Sequence, residues 1–206
     1  MKHLVIYVHG KGGSAAEAEF YQPLFPDAAV IGFDYRAETP WEAEKEFPPF
    51  FEAQAGSCGQ VTLIANSIGA FFCMRALSGV QLGRALFVSP IVDMETLIGD
   101  MMKWAGVTEE ELCRRKEIQT GFGETLSWDY LCDVRRHPVQ WKVPTCILYG
   151  EQDHLTARDT VSRFAGEIGA RLTVMPDGEH WFHTEEEMRF LAGWVRDCCA
   201  DTGENA

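Results

Sequence analysis

Six short apolar runs, at residues 3–8, 28–33, 60–65, 84–89, 144–150 and 171–176, recur along the chain with helical patterns between them. Strands that read as continuous apolar segments are buried on both faces, and strands alternating with helices build a parallel sheet. The predicted fold class is therefore α/β, with a mainly parallel six-stranded sheet and helices on both faces. Helix starts are marked by Thr39-Pro40-Trp41-Glu42, Thr108-Glu109-Glu110-Glu111 and Thr184-Glu185-Glu186-Glu187, each with threonine at the cap and glutamate three residues on.

Most connections are long enough for one crossover helix, but more than 50 residues separate Ser89-Pro90 from Val143-Pro144. The excess predicts a helical insertion, about residues 91–140, within a single domain spanning residues 1–206. In it Met94, Leu97, Ile98, Met101 and Met102 recur at helical spacing as an amphipathic stripe.

The chain has 18 basic and 31 acidic residues, a formal net charge of -13, which disfavours phosphate backbones and anionic membranes as partners. No 18-residue apolar run or signal-peptide pattern is present. Seven scattered cysteines without a Cys-x-x-Cys pair argue against a zinc ribbon or disulfide scaffold. Their number and spacing suit buried or reduced thiols and a cytoplasmic location, with Cys198 and Cys199 as a conceivable redox handle.

The chemistry-bearing segment is Val61-Thr62-Leu63-Ile64-Ala65-Asn66-Ser67-Ile68-Gly69-Ala70-Phe71-Phe72. A strand pattern ends, Ser67 follows within two residues, and a helix begins at once. A nucleophile elbow needs that order, because the serine must sit on a tight strand-to-helix turn with its hydroxyl exposed above the sheet. The same letters also suit a serine N-cap on a βα turn. A second glycine-rich turn, Val8-His9-Gly10-Lys11-Gly12-Gly13-Ser14, closes the first strand; it lacks the spacing of a dinucleotide fingerprint or P-loop.

With these motifs the chain resembles the α/β-hydrolase family. It reads Ala-x-Ser-x-Gly where that family has Gly-x-Ser-x-Gly, and it lacks the two leading strands of the common eight-stranded sheet. The resemblance implies a triad in the order Ser, acid, His, met by Ser67, by Asp153 after the fifth run and by His180 after the sixth. It also implies an oxyanion hole from the backbone N–H groups of Ile68 and Lys11, with Gly12 as the next candidate. His9 is expected to order this turn by hydrogen bonding. His183 is expected to be exposed at a helix start, and Asp177 to form a turn. The spacing of His180 and His183 lacks a third strong metal ligand, so no metal and no cofactor is expected.

The insertion, as a cap, and Trp181 next to His180 are the candidates for substrate binding, with Met101, Trp104 and Trp128 the insertion's contributions. The implied function is a serine hydrolase cleaving a carboxylic ester of a small or medium substrate through an acyl-enzyme. A peptidase or amidase, and a non-catalytic binding protein on the same fold, are the alternatives.

Overall fold

The computed structural model describes residues 3–56 and 58–200. In chain order the strands are β1 (His3–Val8), β2 (Ala28–Phe33), β3 (Gln60–Asn66), β4 (Arg84–Val88), β5 (Glu117–Gln119), β6 (Thr125–Ser127), β7 (Thr145–Gly150) and β8 (Arg171–Met175). The helices are α1 (Pro40–Ala55), α2 (Ser67–Ala76), α3 (Met94–Ala105), α4 (Glu109–Arg115), α5 (Trp128–Arg136), α6 (Arg158–Ile168) and α7 (Glu185–Ala200). All six expected strands join one sheet, in the order β2-β1-β3-β4-β7-β8, and every neighbouring pair is parallel. From β1 the chain steps outward to β2, then returns to place β3 on β1's other side. The strand order thus reverses between β1 and β3, where the ends Val8 and Ala65 pair in register. In open α/β sheets the crevice outside such a reversal is where ligands bind.

Side chains alternate between the faces of a strand. Val5, Tyr7, Ile64, Leu86 and Leu148 face one side, where Tyr21 and the α7 residues Leu191, Trp194 and Val195 cover them. The opposite face is covered by α1 and α2 through an aromatic cluster in which Phe33 stacks on Phe50 at 4.0 Å and meets Phe47 edge-on at 4.9 Å. Burying a large apolar side chain contributes roughly 1.5–3 kcal/mol over leaving it exposed, so strands without a polar face persist only inside such a sandwich.

The β1–β2 crossover is a 3-10 helix, Ala15–Leu24, rather than an α-helix, with Pro23 inside its last turn. Proline supplies no N–H, so regular helical bonding ends there. Residues Asp93–Val139 form a second compact unit. It is not wholly helical, because the antiparallel hairpin β5–β6 lies between α4 and α5. Along the expected stripe Met94, Ile98 and Met102 are buried while Leu97 and Met101 are half-buried. Arg135 gathers this unit's surface carboxylates, with Nε 2.7 Å from Glu95 and Nη1 2.6 Å from Glu109. Among the described residues no helix is long and apolar enough to cross a membrane, and all seven cysteines are free thiols.

Candidate active site

The β3–α2 turn is as tight as its sequence predicts. Ser67 has φ of 49°, a left-handed conformation that costs a non-glycine residue about 1–3 kcal/mol and that the surroundings must impose. The N-cap of α2 is Asn66, and its side chain makes no cap hydrogen bond. Ser67 is therefore not capping the helix. Two glycines make room for the turn. A Cβ on Gly69 would lie 2.3 Å from the His9 carbonyl oxygen, and one on Gly10 would lie 3.2 Å from Ser67 Cβ. The glycine-rich turn after β1 is thus pressed against the elbow after β3. Ala65, where the family pattern has glycine, is fully buried in β3.

Asp153 and His180 reach the same place from the ends of β7 and β8. Their loops are stitched together by backbone bonds, Glu151 N–H to Met175 O at 3.0 Å and Gln152 N–H to Gly178 O at 2.8 Å. His180 Nδ1 donates to Asp153 Oδ2 at 2.7 Å. With that proton on Nδ1, Nε2 is the acceptor, and the Ser67 hydroxyl donates to it at 2.8 Å. The other Asp153 oxygen accepts the N–H groups of Leu155 at 2.8 Å and Thr156 at 3.2 Å. Its carboxylate is wholly shielded from solvent, and the His180 ring is 12% exposed.

His183 takes no part in this chain. Its Nδ1 donates to the Trp181 carbonyl at 2.7 Å, and its ring stacks on Trp181 with centroids 4.7 Å apart. Trp181 is 72% exposed. Asp177 sits in a turn with φ of 56°.

The Gly10–Gly13 turn is closed by Gly13 N–H to Gly10 O at 3.2 Å, with Gly12 at φ 75°. A left-handed residue at the third position fits a type II turn, whose closing bond uses neither the Lys11 nor the Gly12 amide. His9 Nδ1 donates to the Gly10 carbonyl at 2.8 Å, and its ring stacks on Tyr35 at 4.3 Å. Ile68 is the first residue after Ser67 in α2. The substrate-binding candidates Met101, Trp104 and Trp128 all belong to the Asp93–Val139 unit. There Trp104 is 55% exposed and meets Phe122 edge-on, and Lys116 lies over Trp128.

Two supporting groups escaped sequence reasoning. Glu187 was legible only as a capping-box glutamate. In the structure its buried carboxylate accepts the N–H groups of Glu179 at 2.9 Å, His183 at 3.1 Å and Thr184 at 2.9 Å, and the Thr184 hydroxyl at 2.9 Å. These bonds flank His180 on both sides. Burial pushes its carboxyl pKa upward, but the three backbone N–H groups and the hydroxyl together outweigh it and hold the value down at about 2.

Glu17 is the second. It accepts Ser14 N–H at 2.8 Å and the Tyr7 hydroxyl, which in turn accepts Asn66 Nδ2 at 2.9 Å. The glycine-rich turn and the elbow are thereby joined through one polar chain. Burial, then the neighbouring Tyr21 and the Glu17 bond, keeps the Tyr7 phenol neutral by raising its pKa.

No protein-family model matches the sequence, and no curated protein matches it. Solved structures do resemble it. Est1E from Butyrivibrio proteoclasticus superposes with a TM-score of 0.76 at 14% identity, covering 97% of this chain and 88% of that one. Mouse alpha/beta hydrolase domain-containing protein 10 gives 0.73 at 15% identity, covering 96% and 90%. A Paleococcus ferrophilus monoacylglycerol lipase gives 0.63 at 16% identity, covering 94% of each. Together with the parallel sheet, these likenesses define the α/β-hydrolase fold.

Proposed function

We propose that the protein is a serine hydrolase that cleaves a carboxylic ester of a small or medium substrate. The observation that carries this reading is the hydrogen-bonded series Ser67–His180–Asp153 with its serine on a strained elbow. A serine hydroxyl is too weakly acidic to attack unaided, so His180 Nε2 takes its proton as Oγ bonds to the ester carbonyl carbon. Asp153 fixes the imidazole tautomer and stabilises the imidazolium. The backbone N–H groups of Ile68 and Lys11, or Gly12 in place of Lys11, hold the developing oxyanion. His180 then protonates the departing alcohol. Water, activated by the same imidazole, attacks the acyl-enzyme and releases the acid.

The chain needs no cofactor for this chemistry. An ester is favoured over an amide by the monoacylglycerol lipase among the structural neighbours. Hydrolysis of a series of p-nitrophenyl esters beside aminoacyl anilides tests the reading. Turnover of the esters, lost in Ser67→Ala, supports it. Turnover of the anilides alone points to a peptidase, and turnover of neither to a binding protein.

A further inference from the structure

At the end of the sheet remote from Ser67, a second cluster of reactive groups is assembled. Cys146 is the second residue of β7 and pairs in register with Arg171, the first residue of β8. Above them lies the last turn of α7, where Cys198 is buried. Arg171 Nη2 donates to Cys198 Sγ at 2.9 Å, and Arg84 Nη1, from the start of β4, donates to the Cys198 carbonyl at 2.9 Å. Cys146 lies in register beside Leu86 of β4 and packs against the core cluster that contains Leu86, Trp194 and Cys198. Two thiols packed in one cluster, beside two guanidiniums, form a site that the hydrolase chemistry does not use.

We propose that Cys146 and Cys198 are a peroxide-reactive dithiol, with Cys146 as the attacking sulfur and Cys198 as the resolving one. Access sets the roles, because Cys146 is half-buried whereas Cys198 is 3% exposed. Positive neighbours favour the thiolate, which is the nucleophile. The neighbouring Cys198 thiol lowers the Cys146 pKa against the opposing effect of burial, and Arg171 and Arg84 add to the lowering. Cys198, beside the Cys146 thiol and itself buried, is raised. Elsewhere burial alone raises Cys73, which leaves it an inert core thiol.

In the reaction the Cys146 thiolate attacks one oxygen of hydrogen peroxide. The O–O bond breaks, hydroxide leaves and takes up a proton, and a sulfenic acid remains. The Cys198 sulfur then attacks the Cys146 sulfur, and the S–O bond breaks. The second hydroxide departs as water with the proton that Cys198 gives up. The two thiols lose two electrons, and the peroxide is reduced to two waters. The product ties the last turn of α7 to β7, and a dithiol reductant reverses it.

The test is titration of the full chain with hydrogen peroxide, read by intact mass and peptide mapping. The expected result is a loss of about 2 Da, reversed by dithiothreitol, with the bond mapped to Cys146–Cys198. Cys198→Ser should stop at a sulfenic acid on Cys146 that dimedone traps, and Cys146→Ser should give neither product. Arg171→Gln, which leaves both thiols in place, should slow the reaction at pH 7 about threefold or more. Ser67→Ala should oxidise at the wild-type rate, which separates this site from the hydrolase reading. A disulfide mapped to any other pair, unmodified wild-type thiols, or oxidation of Cys146→Ser at the wild-type rate would overturn the proposal.

Discussion

Asp153 Oδ2 lies 2.7 Å from His180 Nδ1 while its second oxygen is fixed by two backbone N–H groups, so this carboxylate can neither rotate nor take up solvent. Asparagine at this position keeps the size of the side chain but offers an amide N–H on one side. The imidazole would then turn to the tautomer that leaves Nε2 unable to accept a proton. Asp153→Asn should lower ester kcat by roughly 10⁴ with a KM close to wild type. Steady-state kinetics on the folded variant decide it, and a loss below tenfold would remove Asp153 from the mechanism.

The two histidines near the start of α7 make a second contrast. His180→Ala should lower kcat by on the order of 10⁴–10⁶, and combining it with Ser67→Ala should add little, because the groups act as one unit. His183, bonded to Trp181 O and stacked on that ring, should tolerate alanine with less than about a tenfold loss. Parallel kinetics on the three variants distinguish the outcomes.

Glu187 holds the backbone on either side of His180. Its pKa of about 2 lies below the ordinary 4.5, so its stabilisation of the 179–184 loop is full above pH ~4.5 and is lost as pH falls toward about 2. Glu187→Gln keeps one acceptor and removes the charge, which should destabilise the fold by about 1–3 kcal/mol. Its difference in stability from wild type should shrink as pH is lowered from 5 to 3. Denaturant melts at several pH values measure this, and a pH-independent difference would argue against the charge.

Gly69 tests the elbow's geometry. In an ordinary helix alanine is favoured over glycine, yet here its methyl would meet the His9 carbonyl oxygen at 2.3 Å. Gly69→Ala should therefore destabilise by roughly 1–3 kcal/mol and lower activity as well. A neutral or stabilising change in a thermal melt would show that β1 and α2 are not so closely packed.

The six strands were legible because both faces of the sheet are covered, which leaves each strand as an uninterrupted apolar run such as Leu4–Val8. Ser67 was legible as a candidate because it follows a strand run by two residues, and Asp153 and His180 were candidates through the α/β-hydrolase resemblance; the three lie in hydrogen-bonded series. The hairpin Glu117–Gln119 with Thr125–Ser127 was not, because three residues per strand are too few to display a period. Of the Glu187 bonds only the capping-box one to Thr184 was legible, and those to Glu179 and His183 were not, nor was the Glu17 bond to Tyr7. Glu187 holds backbone groups on the preceding loop, and Glu17 works through Tyr7 and Asn66, 59 residues apart. Such partners are chosen by tertiary packing, and nothing in the identity of a glutamate marks them.

The most direct measurement of the central claim is covalent capture of the nucleophile. The protein should be treated with a fluorophosphonate, and the modified residue located by mass spectrometry. The account predicts one adduct per chain on Ser67, with labelling slowed by at least 10³ in His180→Ala because the base is gone. An adduct on another residue, no adduct at all, or labelling of Ser67 unchanged in the folded His180→Ala variant would contradict it.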